Sequence, residues 1–468
     1  MRIVIAGAGL TGIQLARHLV QEKHDVSLIE SNEERARHAS NRLDCMVLHN
    51  RGNSLPVLEE AGIARADALV CVTDSDEVNM IICGLAASRY PKLLKIARVR
   101  NDEYAVPGVD SFIRPDAEVS RAVLSALAHG AMGNILEFPG TPYKLGSIDV
   151  AQGTPFDGLC LKDFRTRIKG ESLVTLVERS QESFLPSGSS VLARGDRIHI
   201  LAREEEMGEI FRLAGRSETP IRRIGIVGGG RVGAFIAEGL LDRNPEETHN
   251  PEDHKTNSIA SFFKSFIPKT SRRVTIIEQD YHVCKELAAR FPEALILNED
   301  ISDESFVAEE RIGDLDLIIT TTANQERNII TAVYLKSRGV RRAIALVAGS
   351  GYETIARQLG VDVVIPTKSV VVDSILSRLM GRGIRGIHRL GDGSVGIIEA
   401  GISDESPAAE KAITEFGLSQ GGLIMLVNRG EASFIPQGGY VFKAGDKVIL
   451  IAKHGSETEL ERFFGPRG

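Results

Sequence analysis

The sequence predicts an α/β protein with two Rossmann-like domains, each a doubly wound parallel sheet followed by a small α+β subdomain. Three observations support this prediction. A glycine-rich loop occurs twice, each time directly after an Ile/Val-rich strand. Strands and helices alternate after each loop, which is typical of a parallel sheet. A run of short strands with Pro and Gly-Asp turns at 184–198 recurs at 434–448, so the order is domain, subdomain, domain, subdomain.

The two glycine loops predict dinucleotide binding. The first reads GAGLTG from Gly7 to Gly12, and the second reads GGGRVG from Gly228 to Gly233. In such a loop the first glycine permits a tight turn, the second lets the main chain approach a pyrophosphate, and the third lets the helix pack on the sheet. The free amides at the start of that helix then meet the phosphates. One such loop is weak evidence, whereas two in matching contexts are much stronger.

The strand that follows each loop ends in a carboxylate, Glu30 in the first half and Glu278 in the second. A carboxylate at this position accepts hydrogen bonds from ribose hydroxyls. It would also repel the 2′-phosphate of NADP. We therefore expect the first site to prefer NAD(H) or an adenine nucleotide.

Other residues near the predicted nucleotide site have two possible roles each. Thr73 and Asp74 are predicted to end the fourth strand, where they either contact the nucleotide or serve a helix start. Arg98 in the fifth strand needs a partner, and a phosphate or a glutamate would supply one. Arg231 in the second loop either donates to phosphate or faces solvent. Leu346 stands where the first half has Arg98, so the two sites are predicted to differ in ligand preference.

The predicted domains are 1–134 and 222–382 for the Rossmann-like parts, and 135–216 and 383–468 for the subdomains. The halves meet near 214–220, a polar stretch with Gly, Ser and Pro. The second half carries an insertion at about 244–272, which is either a surface excursion or a contact with a partner or membrane. Its His249 and His254 are expected to be solvated loop residues rather than metal ligands.

Each Rossmann-like domain ends in an apolar helix, at 119–127 and at 370–380. The apolar residues recur at helical spacing, so each helix has a face to bury. Two placements are open. The helix packs against its own domain, or it is exchanged with the paired domain.

Composition excludes several classes of protein. The 468 residues carry a net charge of −7, a poor basis for nucleic-acid binding. No window is apolar enough to span a membrane, the N-terminus is unlike a signal peptide, and the five scattered cysteines read as buried free thiols in a reducing compartment. The sequence contains no recognisable nucleophile, metal or acid/base motif. A nucleotide sensor is therefore favoured over the alternative, an NAD-dependent oxidoreductase.

In combination these motifs resemble the regulator-of-K⁺-conductance (RCK or KTN) family. The resemblance covers nearly the whole chain, and the tandem order is its most specific feature. The residues that carry it are the GAGLTG loop with Glu30, Ala61-Gly62-Ile63 before Ala66-Asp67, the segment from Thr73 to Asn79, and the Pro-x-Gly and Gly-Asp turns. The family usually has Gly-Asp after the third strand. At this place the two halves have Gly52-Asn53 and Glu299-Asp300 instead.

The resemblance implies a regulatory subunit that is cytoplasmic and peripheral on the inner face of the membrane. Such proteins assemble as a homo-oligomeric ring beneath a membrane K⁺ channel subunit, here of the TrkH type, and bound NAD(H), ATP or ADP biases its gate. The tandem arrangement favours uptake, with a K⁺ efflux channel as the alternative. The implied nucleotide-binding residues are Gly7, Ala8, Gly9, Leu10, Thr11, Glu30, Thr73, Asp74, Arg98, Gly228, Gly229, Gly230, Arg231, Val232, Glu278, Thr322 and Ala323.

Overall fold

The computed structural model describes residues 1–101, 107–128, 135–138, 141–164, 168, 170–180, 182–215, 221–241, 272–349, 351–379, 384–390, 395–416, 421–430, 432–453 and 464. The predicted insertion, with His249 and His254, lies outside these residues except for residue 272. The chain forms two compact units. One joins Met1–Ala131 to Pro220–Leu379, and the other joins Met132–Thr219 to Met380–Gly468.

The first Rossmann-like sheet is parallel throughout, with the order β3-β2-β1-β4-β5-β6. Its strands are β1 Arg2–Ala6, β2 Asp25–Glu30, β3 Met46–His49, β4 Ala68–Cys71, β5 Leu94–Arg98 and β6 Ser111–Ile113. Its helices are α1 Leu10–Gln21, α2 Glu33–Ser40, α3 Leu55–Glu60, α4 Asp76–Arg89 and α5 Pro115–Ala128. The order reverses between β1 and β4, so a crevice opens at the carboxyl ends of these strands.

The first subdomain is an antiparallel sheet with the order β10-β9-β11-β8-β7. Its elements are β7 Ile135–Glu137, β8 Tyr143–Asp149, β9 Leu173–Arg179, β10 Glu182–Phe184, β11 Arg197–Arg203 and the helix α6 Glu204–Leu213. The helix covers one face of the sheet through its buried residues Met207, Ile210 and Phe211, which lie in the core of this subdomain.

The second half repeats both architectures. Its parallel sheet has the order β14-β13-β12-β15-β16-β17, and its antiparallel sheet has the order β18-β19-β22-β20-β21. The parallel part contains β12 Arg223–Val227, α7 Arg231–Leu240, β13 Arg273–Glu278, α8 Tyr281–Arg290, β14 Leu295–Asn298, α9 Glu304–Glu309, β15 Leu317–Thr320, α10 Gln325–Ser337, β16 Arg342–Val347, α11 Gly351–Gln358, β17 Val363–Pro366 and α12 Thr367–Leu379. The antiparallel part contains β18 Ile384–Leu390, β19 Val395–Gly401, β20 Gly422–Arg429, β21 Ala432–Phe434 and β22 Lys447–Lys453. The predicted fold class is confirmed.

The two parallel domains exchange their last helices. Val123 of α5 is fully buried in the core around Ile224 of β12, in the second domain. Ile375 of α12 is fully buried in the core around Ile5 of β1, in the first domain. Exchange is therefore the correct one of the two placements that the sequence left open. Each parallel domain needs a helix from the other half to complete its apolar core.

The two antiparallel sheets of the second unit also share a core. Leu145, Leu176 and Leu201 of the first subdomain are buried together with Ile397 and Ile449 of the second. Side chains alternate across a strand, so each sheet offers one apolar face to this core and another to its own helix or loops. The subdomains therefore stabilise each other as a pair.

The repeated Gly-Asp turns hold a repeated ion pair. Arg179 makes two hydrogen bonds of 2.7 Å to the nearly inaccessible carboxylate of Asp196, and Arg429 does the same with Asp446 at 2.7 and 2.8 Å. Burial alone would raise the pKa of both aspartates. The arginines and a turn amide outweigh it, so each pKa lies below its ordinary value.

These pairs predict a pH-dependent stability of the second unit. Because each aspartate pKa is depressed in the folded state, the stabilisation is complete above pH ~4 and disappears as the pH falls through the folded-state pKa. We expect Arg179→Met with Arg429→Met to lower the unfolding temperature by about 2–4 °C at pH 7 and by less at pH 3. Arg212→Met, at an exposed pair on α6, is the control. An equal deficit at both pH values would contradict the prediction.

The prediction of buried free thiols is confirmed for three of the five cysteines. All five cysteines are free thiols; Cys71, Cys83 and Cys284 are buried, and Cys45 and Cys160 are partly buried. Burial raises the pKa of the Cys71 thiol, which makes it unreactive. In the ranges given above, no helix is both long and apolar enough to cross a bilayer.

Candidate nucleotide-binding site

The first glycine loop meets two different demands. Gly7 has φ +109°, and a Cβ at Gly12 would lie 1.9 Å from the Gly7 carbonyl oxygen, so the turn itself requires both. Gly9 is the N-cap of α1 with φ −66°, and a Cβ there would meet no atom of the described residues within 4 Å. The fold therefore does not require glycine at position 9. It leaves open space directly in front of the helix N-terminus.

The second loop has the same geometry. Gly228 has φ +105°, and a Cβ at Gly233 would lie 2.1 Å from the Gly228 carbonyl oxygen. Gly230 caps α7 with φ −62°, and the part of the chain that the structure describes places nothing within 4 Å of a Cβ there. Gly229 is packed, because its Cβ would lie 2.4 Å from Leu287 Cδ1. Both loops thus present an accessible helix start, the arrangement that binds phosphate groups.

Each predicted ribose-binding carboxylate also supports its own glycine loop. Glu30 Oε2 accepts a 2.6 Å hydrogen bond from the Ala8 amide, and Oε1 accepts a 2.9 Å bond from the amide two residues further on. Glu278 repeats this with the Gly229 amide at 2.6 Å and with the amide two residues on at 2.9 Å. Each carboxylate oxygen still has acceptor capacity. These glutamates therefore fix the loop, and their contact with a ribose stays a prediction.

A buried asparagine in each half sets the far edge of the crevice. The Asn79 Oδ1 accepts from the Thr73 amide at 3.0 Å and from its hydroxyl at 2.7 Å, while Nδ2 donates to the Arg98 carbonyl at 2.8 Å. Asn328 binds Thr322 in the same way, at 2.9 and 2.6 Å, and reaches the end of β16 at 2.9 Å. Sequence reasoning gave neither asparagine a role in the site. Their recurrence was the available signal.

Among the residues that the structure describes, the nearest charged partner of Arg98 is an aspartate rather than the glutamate considered from the sequence. Its Nη1 lies 3.5 Å from Asp74 Oδ1, a long contact for an ion pair, and its side chain is 14% exposed. Burial lowers the pKa of the Arg98 guanidinium, Arg100 lowers it further, and Asp74 only partly opposes this. A desolvated cation with so weak a partner favours an anionic ligand.

Arg231 has a partner that neither proposed interpretation included. Its Nε lies 2.9 Å from Asp116 Oδ2, and its guanidinium donates to the Arg100 carbonyl. Both partners belong to the first half, at and just before the exchanged helix α5. This partner could not be foreseen, because the helix exchange brings Asp116 to the second loop. Arg231 is therefore ion-paired while its side chain stays 53% exposed, and its contact with phosphate stays a prediction.

The two crevices open into one cavity of about 940 Å³ between the parallel domains. The predicted binding residues that line it are Ala8, Gly9, Leu10, Thr11, Asp74, Arg98, Val232, Thr322 and Ala323. The other predicted residues, which do not line it, are Gly7, Glu30, Thr73, Gly228, Gly229, Gly230, Arg231 and Glu278. Sequence reasoning missed Asp116 and Lys368, which begin the exchanged helices and also line the cavity.

Within the described residues the structure shows no group of three His, Cys, Asp or Glu side chains placed to hold a metal ion. His199 is buried and lies 2.6 Å from Glu178 Oε1, so it has a structural partner in the first subdomain. His129 and His454 lie outside the described residues, as does the side chain of His388.

Comparison with protein families identifies both kinds of domain. The TrkA-N domain matches residues 3–114 and 263–367, and the TrkA-C domain matches residues 145–215 and 397–465. A Trk system potassium uptake protein TrkA of Halomonas elongata is 28% identical, covering 99% of this chain and 98% of its own. A TrkA homologue of Methanosarcina mazei is 27% identical, covering 99% and 100%, and TrkA of Haemophilus influenzae is 25% identical, covering 100% and 99%.

Solved structures show the same fold. The GsuK RCK domain has a TM-score of 0.55 and 18% identity, covering all of this chain and 95% of its own. The GsuK channel bound to NAD has a TM-score of 0.55 and 17% identity, covering 100% and 79%. With family matches in both halves and relatives aligned from end to end, the chain belongs to the TrkA family, with tandem TrkA-N and TrkA-C domains.

Proposed function

We propose that the protein is a cytoplasmic regulatory subunit that senses NAD(H) or adenine nucleotides and gates a membrane potassium-uptake channel of the TrkH type. The names of its full-length relatives support a role in potassium uptake. The observation that carries the nucleotide part is the pair of open positions at Gly9 and Gly230. Packing requires no glycine at either position, and both positions lie directly before a helix N-terminus.

The cavity explains how binding would be sensed. It is lined by both parallel domains and by the first turns of both exchanged helices. A nucleotide that fits one arrangement of the two domains better than another shifts the population toward that arrangement. The exchanged helices α5 and α12 are buried in the opposite cores, so they would carry the shift through the assembly. A homo-oligomeric ring at the inner membrane face would pass it to the channel.

A nucleotide-binding regulator also fits the properties of a protein with the same fold, since the GsuK channel has been solved bound to NAD. The full-length relatives are named as potassium uptake proteins, which favours a nucleotide sensor over the oxidoreductase alternative.

Blocking the two open positions tests the proposal. We expect Gly9→Val and Gly230→Val each to weaken nucleotide binding at its own site by tenfold or more, because the valine occupies the space where the phosphate approaches the amides. Calorimetric titration with NAD⁺, NADH, ATP and ADP measures the affinity and the number of sites. Each single variant should lose one class of site, and the double variant should lose both.

Gly84→Val is the matched control. Gly84 lies on α4, and the described chain leaves the space around its Cβ free to 4 Å. It should bind nucleotides as the unmodified protein does. Unchanged affinity in the double variant would remove the proposed site. No affinity of the unmodified protein for any of the four nucleotides would overturn the proposed function as a whole.

A further inference from the structure

The helix exchange places the start of each exchanged helix beside the glycine-loop helix of the other half. Ser120 of α5 donates to the Val232 carbonyl of α7 at 3.3 Å, and Gln14 of α1 donates to Ser369 of α12 at 3.2 Å. Each loop is thus bordered by a residue from the opposite half. The border of the first loop comes from α12, and the border of the second comes from α5.

The residues at these two equivalent positions have opposite charges. Val119 and Val123 of α5 correspond to Val371 and Ile375 of α12, because both pairs are buried at the same spacing in the opposite core. In this alignment Asp116 corresponds to Lys368. Both residues line the shared cavity. The negative charge of Asp116 therefore borders the second loop, and the positive charge of Lys368 borders the first loop.

The rest of each wall adds to the difference. Beside the first loop, Arg98 and Arg35 share one exposed carboxylate, Asp74, at 3.5 and 3.6 Å. Lys368 has no ion-pair partner in the part of the chain that the structure describes, so its charge is available to a ligand. This side of the cavity carries an excess of positive charge.

On the second side Asp116 neutralises the only arginine of the glycine loop, Arg231, at 2.9 Å. Glu326 adds a further carboxylate to this wall, and Leu346 replaces the arginine of the first half. A ligand with several phosphate charges therefore meets attraction at the first loop and repulsion at the second.

We propose that Lys368 and Asp116 set the nucleotide preference of the two sites: Lys368 selects polyphosphate mononucleotides such as ATP at the first loop, and Asp116 rejects them at the second in favour of dinucleotides. This inference rests on the proposed function, since it assigns preferences to those two sites. ATP carries more negative charge than NADH, so one nearby charge changes its binding more. Each preference is supplied by the half that does not contain the loop.

The test uses the full chain with one site blocked. In the Gly230→Val background, only the first site remains. There we expect Lys368→Gln to weaken ATP binding about tenfold and NADH binding no more than about threefold. Lys368→Arg should keep the preference for ATP. In the Gly9→Val background, Asp116→Asn should tighten ATP about tenfold at the second site, and Arg231→Gln should weaken it. Titration calorimetry measures each affinity at fixed ionic strength.

Lys285→Gln, on the exposed face of α8, removes the same charge away from the cavity and is the control. Equal losses of ATP and NADH in Lys368→Gln would show a general anion contact and overturn the proposed selectivity. Unchanged binding of both would show that Lys368 does not reach the ligand, and would also overturn it. These outcomes differ from failure of the proposed function, in which the unmodified protein binds neither nucleotide.

Discussion

Gly12→Ala is expected to destabilise the first parallel domain by about 3 kcal/mol or more and to abolish binding at the first site. The added Cβ would lie 1.9 Å from the Gly7 carbonyl oxygen, a backbone atom that cannot rotate away. The strand, the turn and α1 must therefore move apart. Chemical denaturation of the full chain gives the change in unfolding free energy, and calorimetry gives the loss of nucleotide binding.

The comparison with Gly9→Val makes this result specific. Both changes should remove binding, but Gly9→Val should cost only about 1 kcal/mol of stability, through the poorer N-cap, since the space at Gly9 is open. Gly84→Ala should stabilise α4 by up to about 1 kcal/mol, because alanine favours a helix over glycine. If Gly12→Ala unfolds like the unmodified protein, the close helix–sheet contact does not determine the stability of this domain.

Ile375→Ala is expected to lower the free energy of unfolding by about 2–5 kcal/mol. The loss of packing should appear in the half that does not contain Ile375. Ile375 is fully buried among Ile5, Leu15 and Leu28 of the first domain. Removing its side chain leaves a cavity under β1 rather than under β12. Hydrogen exchange measured by mass spectrometry should therefore show faster exchange in 2–30, with 223–240 less affected.

Ile355→Ala on α11 provides the control. Because that side chain is 51% exposed, its removal should change the free energy of unfolding by no more than about 0.5 kcal/mol. Val123→Ala supplies the reciprocal case, with the loss of protection in the second domain. Faster exchange confined to 223–240 in Ile375→Ala would mean that α12 packs on its own half in solution, which would contradict the exchange.

The sequence predicted most of the secondary structure that positions the site. The strands before Gly7 and Gly228 and the carboxylates at Glu30 and Glu278 stand where the pattern placed them. The predicted ends of the elements at the crevice were less accurate. β4 ends at Cys71, so Thr73 lies in the following loop, where Asn79 holds it.

The side-chain partners in the cavity were not predictable in the same way. Arg231 contacts Asp116, which is more than a hundred positions away in the sequence and in the other half. Arg98 contacts Asp74 because β4 and β5 are neighbours in the sheet. Pattern reasoning recognised that Arg98 needed a partner, and it left Arg231 as a phosphate donor or a solvent-facing residue. It had no means of choosing one, since a partner is decided by which elements come together.

Local chain properties were readable from the sequence alone: turns that need a positive φ, strands that alternate with helices, and the duplication of the whole arrangement. The tertiary structure alone decided which core each terminal helix completes and which charge it brings to the neighbouring loop. The physical reason is that burial of apolar surface is non-directional. The apolar faces of α5 and α12 would suit either core, and only the assembled pair of domains selects one.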